Sequence, residues 1–103
     1  MPTKITFIFD NPTDPAAFEA SYAEGFLEAA TALPGVTKIE SSKVWPKEDG
    51  SPTPAYQLVD LYFTDYEAAS AAVATAEAGA LFPKVFELAT GGVRIVFADI
   101  EAG

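Results

Sequence analysis

Carboxylates and phenols are the groups in this chain that could do chemistry. It carries 15 acidic residues and four tyrosines but no histidine and no cysteine. A Ser-His-Asp triad, a His-ligated haem and a two-His-one-carboxylate iron centre are therefore excluded on this chain, as are thiolate zinc sites and cysteine nucleophiles. No Asp/Glu run has the spacing of a calcium loop. Neither a metal nor a cofactor is expected.

Asp60 stands out among the carboxylates, in the run Asp60-Leu61-Tyr62-Phe63 within an apolar strand. A mid-strand carboxylate is costly unless paired or hydrogen-bonded. It can serve as a general acid or base with Tyr62, or as a structural acid bonded to a tyrosine hydroxyl or to Lys43. Tyr56, Leu58, Asp60 and Tyr62 share one side by strand alternation. Tyr22 and Phe26, four residues apart, share one side of a helix, as core packing or as the aromatic wall of a ligand cleft. Trp45, the only tryptophan, sits beside Pro46 as an interface anchor or as the cover of a pocket. Tyr22, Phe26, Trp45 and Tyr56 are the candidate ligand-binding residues, with Asp60 and Tyr62 as catalytic candidates.

The elements that must position these residues can be read along the chain. Lys4 to Phe9 is a β-branched and aromatic strand closed by Asn11-Pro12-Thr13-Asp14-Pro15. Asp14 caps a helix with Pro15 at its first position, and Phe18, Tyr22, Phe26 and Leu33 form the apolar stripe. Leu33-Pro34-Gly35 stops that helix. Val36 to Trp45 is a polar strand suited to a sheet edge, and Pro46 to Pro54 is a loop, either a hairpin connection or a lid. Ala55 to Phe63 is a third strand. Thr64-Asp65-Tyr66-Glu67 matches a capping box that opens an Ala-rich helix to about Thr75. A further helical piece from Thr75 should be kinked or divided by Pro83. Gly91-Gly92 turns the chain into a last strand, Val93 to Ile100.

The order β-α-β-β-α-β in one 103-residue domain predicts an α+β, ferredoxin-like antiparallel sheet with its helices on one face. Alternation makes both faces of the first, third and last strands apolar, and the helices can cover only one. A second copy packed sheet to sheet is the simplest cover, so a homodimer through the sheet face is expected. The formal charge of −9 argues against a nucleic-acid partner. Ile5 to Phe9 is too short for a signal-peptide core and no stretch is long enough to span a bilayer, so a cytoplasmic protein without a membrane partner is expected.

Several segments together resemble the EthD family, bacterial proteins named for ethyl tert-butyl ether degradation. They are Phe18-Glu19-Ala20-Ser21-Tyr22, Leu33-Pro34-Gly35, Asp49-Gly50-Ser51-Pro52, Asp60-Leu61-Tyr62-Phe63 and Ala89-Thr90-Gly91-Gly92-Val93. The resemblance implies a dimeric α+β barrel and a bacterial, cytosolic setting. It leaves the chemistry open. Where family members often carry His-x-Pro, four residues beyond a tyrosine, this chain has Phe26, Leu27 and Glu28. Three functions are consistent with these residues: binding of a small, largely apolar organic molecule in a pathway-accessory role; a cofactor-independent isomerase or monooxygenase using Asp60 and a tyrosine; or a structural or regulatory dimer.

Overall fold

The computed structural model describes Met1–Gly103. Its elements run β1 (Thr3–Phe9), α1 (Pro15–Ala23), α2 (Phe26–Thr31), β2 (Lys38–Lys43), β3 (Gln57–Phe63), α3 (Tyr66–Ala72), α4 (Ala76–Leu88) and β4 (Val93–Asp99). The sheet is antiparallel at every pairing, in the order β2-β3-β1-β4. This is the ferredoxin-like α+β arrangement expected from the sequence.

One face of the sheet is the core. Ile5, Phe7 and Phe9 of β1 and Val59, Leu61 and Phe63 of β3 are buried there beneath the helices. Leu81, Val85 and Leu88 of α4 complete the cluster with Phe18, Phe26 and Ala30. Phe26, 1% exposed, meets Phe7 and Phe9 edge-on, with ring centroids 6.5 and 6.0 Å apart. Edge-to-face geometry of this kind stabilises beyond simple burial.

The first helical segment departs from the expected single helix. Gly25 takes φ +94°, a left-handed conformation natural to glycine, and divides α1 from α2. The apolar stripe survives the break, because Tyr22 still stacks between Phe18 and Phe26. Asp65, not Thr64, caps α3, accepting from the Ala68 N–H at 2.8 Å. Helix α4 runs unbroken through Pro83 and forgoes one backbone bond there. Asp14 caps α1 and Thr75 caps α4 through their side-chain oxygens.

The other sheet face carries no helix. It is less apolar than alternation alone implies: Ile8, Leu58, Val96 and Ala98 surround a polar centre made by Lys4, Thr6 and Asp60. Thr6 and Asp60 are direct cross-strand partners, so the register that buries the phenylalanines on one face also pairs these two on the other. No helix is long and apolar enough to cross a membrane. In the turn that leads into β4 the backbone comes so close that a Cβ on Gly91 would stand 1.9 Å from the Asn11 carbonyl oxygen.

Truncating Phe26 to alanine removes a ring held on three sides, and about 3–5 kcal/mol of stability should go with it. Urea unfolding monitored by circular dichroism measures this. A loss below about 1 kcal/mol would mean that the ring is not part of the core.

Candidate functional site

The candidate residues fall on two sides of the sheet. On the open face, the Asp60 Oδ1 accepts from the Thr6 hydroxyl at 2.5 Å and lies 3.6 Å from the Lys4 ammonium. The Asp60 side chain is only 14% exposed. Its partners are therefore Thr6 and Lys4, not Lys43 or a tyrosine. Tyr62, two residues on, donates to Glu40 instead, and Glu40 pairs with Lys38 at 3.1 Å. The face thus holds two separate charge-compensated groups, and Asp60 and Tyr62 do not bond to each other.

The second cluster lies between α1 and the β2 edge, on the helix side. Tyr22 is hydrogen-bonded to Ser41, whose Oγ also accepts from Gln57 Nε2 at 2.8 Å. The Tyr56 hydroxyl donates to Glu19 at 2.5 Å, and Lys43 pairs with the same carboxylate. The Lys43 ammonium also lies 4.2 Å from the centre of the Tyr56 ring, a cation–π contact. Tyr56 meets Phe18 edge-on at 5.1 Å. This corrects the expected placement of Tyr56 beside Asp60. Regular pairing of β3 begins at Gln57, so strict alternation does not extend back to Tyr56.

Structure therefore brings Tyr22, Phe26 and Tyr56 together around Phe18, and sets Asp60 and Tyr62 apart on the opposite face. Trp45 joins neither group and is 87% exposed. Glu19, Ser41 and Gln57 belong to the rim although nothing in their spacing marks them. The available signal was Lys43, a cation on an edge strand beside an acidic helix.

These contacts set the proton chemistry. Donation to Glu19 pushes the Tyr56 phenol up to about 12, and donation to Glu40 does the same to Tyr62. Burial raises the Tyr22 phenol, and its bond to Ser41 works in the opposite direction. Glu19 is lowered by its bonds from Lys43 and Tyr56, and Glu40 by those from Tyr62 and Lys38. Near neutral pH these phenols are neutral hydrogen-bond donors and the carboxylates are acceptors. Such a rim can hold and orient a neutral organic group, but it offers no phenolate base.

Space near the rim is limited. A cavity of about 160 Å³ lies between the start of α1 and the end of α4, lined by Asp14, Phe18, Ser21, Glu87 and Thr90 among others. That is smaller than the roughly 300–1,000 Å³ of typical ligand pockets. A shallower depression bordered by Tyr22, Ala23, Gly25, Leu27 and Glu28 opens at the α1–α2 break. No group of three or more acidic side chains is placed to hold a metal ion.

No protein-family model matches the chain. It is 33% identical over 98 residues to an uncharacterized 11.0 kDa protein in the thcB-thcC intergenic region of Rhodococcus erythropolis, covering 95% of this chain and 94% of that one. Its fold superposes on an EthD family protein from Bacillus halodurans with a TM-score of 0.86 at 18% identity, covering 97% and 99% of the two chains. The chain belongs to the family of the Rhodococcus protein and has the fold of the EthD family protein. Two further folds are similar to that of this chain. One is a dimeric ferredoxin-like protein of unknown function from Jannaschia, at TM-score 0.70 and 16% identity over 97% of this chain and 100% of that one. The other is SnoaB, a cofactor-independent oxygenase from Streptomyces nogalater, at 0.66 and 15% over 99% and 94%.

Alkaline titration tests the two phenol–carboxylate bonds. A phenol raised from the usual 10.0 to about 12 contributes stability that is full below pH 10 and lost as pH rises through 12. Glu19 and Glu40 act oppositely: their contribution is full above the usual 4.5 and lost as pH falls through their lowered values. The urea midpoint should therefore fall at both extremes. Glu40→Gln should return Tyr62 toward 10.0 in a tyrosinate absorbance titration; an unchanged curve would contradict the assigned bond.

Proposed function

We propose that this protein is an EthD-like cytoplasmic homodimer, joined through the open sheet face, that binds a small, largely apolar organic molecule as an accessory to a degradative pathway. The carrying observation is Tyr22, stacked between the buried rings of Phe18 and Phe26 and bordering the depression beside Leu27. Tyr22 presents a ring fixed on both sides by its neighbours and a hydroxyl anchored by Ser41. A rigid aromatic surface with few polar groups suits an apolar guest and gives it little chemistry. Ile8, Leu58 and Val96 on the uncovered face support the dimer, as does the description of the Jannaschia fold as dimeric.

The closed core favours a second reading, a structural or regulatory dimer. Phe26 fills the helix–sheet space that a deep pocket would need. An enzyme using Asp60 with a tyrosine draws less support. Asp60 is engaged by Thr6 and Lys4, and Tyr62 by Glu40.

Native mass spectrometry of the purified protein against a panel of small aromatic and ether compounds separates these readings. A retained compound should bind at least about 5-fold more weakly to Tyr22→Ala, which loses a stacked wall. Asp60→Asn should bind it normally. No retained compound from the panel would favour the structural dimer. Turnover of a compound that Asp60→Asn abolishes in a folded dimer would overturn the binding reading in favour of an enzyme.

A further inference from the structure

The depression at the α1–α2 break is lined unevenly. Its border is Tyr22, Ala23, Gly25, Leu27 and Glu28, and it holds about 290 Å³ of open space. Leu27 is 38% exposed and Ala23 is exposed too, so part of the border is hydrocarbon. Tyr22 is half-buried and stacked on both faces, which leaves its ring edge to offer. The remaining side chain is a carboxylate.

Glu28 is turned back over the break. A Cβ on Gly25 would stand 3.9 Å from the Glu28 Oε2, so the carboxylate lies beside the position that glycine leaves bare. No side chain of the protein supplies it with a cation. The four ion pairs engage Asp60, Glu40, Glu19 and Asp10 instead, and no lysine or arginine borders the depression. Position 28 lies in the first turn of α2, where an acid is favourable on its own, so the charge is tolerated without a partner.

An unpaired carboxylate beside exposed hydrocarbon selects among guests by charge. Anionic guests meet Glu28 on a chain of formal charge −9 and are repelled. A bare metal ion needs several oxygen ligands, and Glu28 is the single carboxylate on the border. A neutral guest uses the hydrocarbon and leaves the charge unused. A guest with a hydrocarbon body and one ammonium group uses both. Alkylammonium groups titrate like lysine, at about pH 10, so such a guest is charged near neutral pH.

We infer that the guest is an organic amine, with its ammonium against the Glu28 carboxylate and its hydrocarbon body on Leu27, Ala23 and the edge of Tyr22. The inference rests on the binding reading above and names the class of guest. Glu28 is exposed, so the contact has the strength of a surface ion pair. That amounts to a preference of about 3- to 5-fold over a neutral molecule of the same shape.

Amide NMR titrations of the wild-type protein with benzylamine, benzyl alcohol and benzoate test this. Benzylamine should shift the amides from Tyr22 to Glu28 and bind about 3- to 5-fold more tightly than benzyl alcohol, with benzoate weaker than either. Molar salt should narrow the gap between amine and alcohol. Glu28→Gln should keep the circular dichroism spectrum and the affinity for benzyl alcohol but lose the preference for the amine. With benzyl alcohol bound at the site, three results would each overturn the amine and leave the binding reading standing. They are equal affinity for amine and alcohol, a preference that survives Glu28→Gln, and amine shifts spread over the other carboxylates. If no probe shifts the amides from Tyr22 to Glu28, or if Tyr22→Ala weakens none of them, the binding reading falls as well.

Discussion

The pairing of β1 with β3 is the constraint on which the rest depends. Its register sets Ile5 against Leu61 and Phe7 against Val59 on one face, and Thr6 against Asp60 on the other. A shift by a single residue would exchange the two sets, exposing three phenylalanine-rich core positions and burying a carboxylate among the helices. The buried face gives that register its energetic preference. The open face inherits a polar centre as a consequence, and Lys4 neutralises it. Core and candidate interface are therefore two outcomes of one alignment.

Much of this was legible because period-two alternation is a strong signal in strands as apolar as β1 and β3. Element order, the Asp14 and Thr75 helix starts and the turn at Gly91-Gly92 could all be read from residue types. The misreadings share a cause: a local signal was outweighed by one not counted. Gly25 sat inside a convincing apolar stripe, and its left-handed backbone broke the helix without disturbing the stripe. Thr64 and Asp65 both suit a cap, and Asp65 takes the role. Pro83 costs one backbone bond, yet Leu81, Val85 and Leu88 are buried on the same helix and hold it together across the gap.

The candidate site was harder to read, since its contacts join residues far apart in the chain. Tyr22 meets Ser41, and Glu19 meets both Lys43 and Tyr56, through pairings that only the crossover from α1 to the β2 edge creates. Asp60 was correctly singled out as a mid-strand carboxylate that needs partners. Their identity depended on the cross-strand register, which places Thr6 opposite it. The replacement of a possible histidine by Phe26 has a clear structural counterpart: the ring closes the helix–sheet space and leaves only the surface rim for a guest.

The central claim is that a second copy covers the open face, and sedimentation equilibrium of wild type beside Val96→Glu tests it most directly. Val96 lies opposite Thr6 on that face and is 43% exposed in the single chain, so the substitution places a charge in the proposed interface with little effect on the core. An uncompensated charge buried there is strongly destabilising to the pair. Wild type should sediment at twice the chain mass of 10.9 kDa, and Val96→Glu at the single-chain mass with an unchanged circular dichroism spectrum. A wild type that sediments as a single chain, or a folded Val96→Glu dimer of unchanged affinity, would contradict the account.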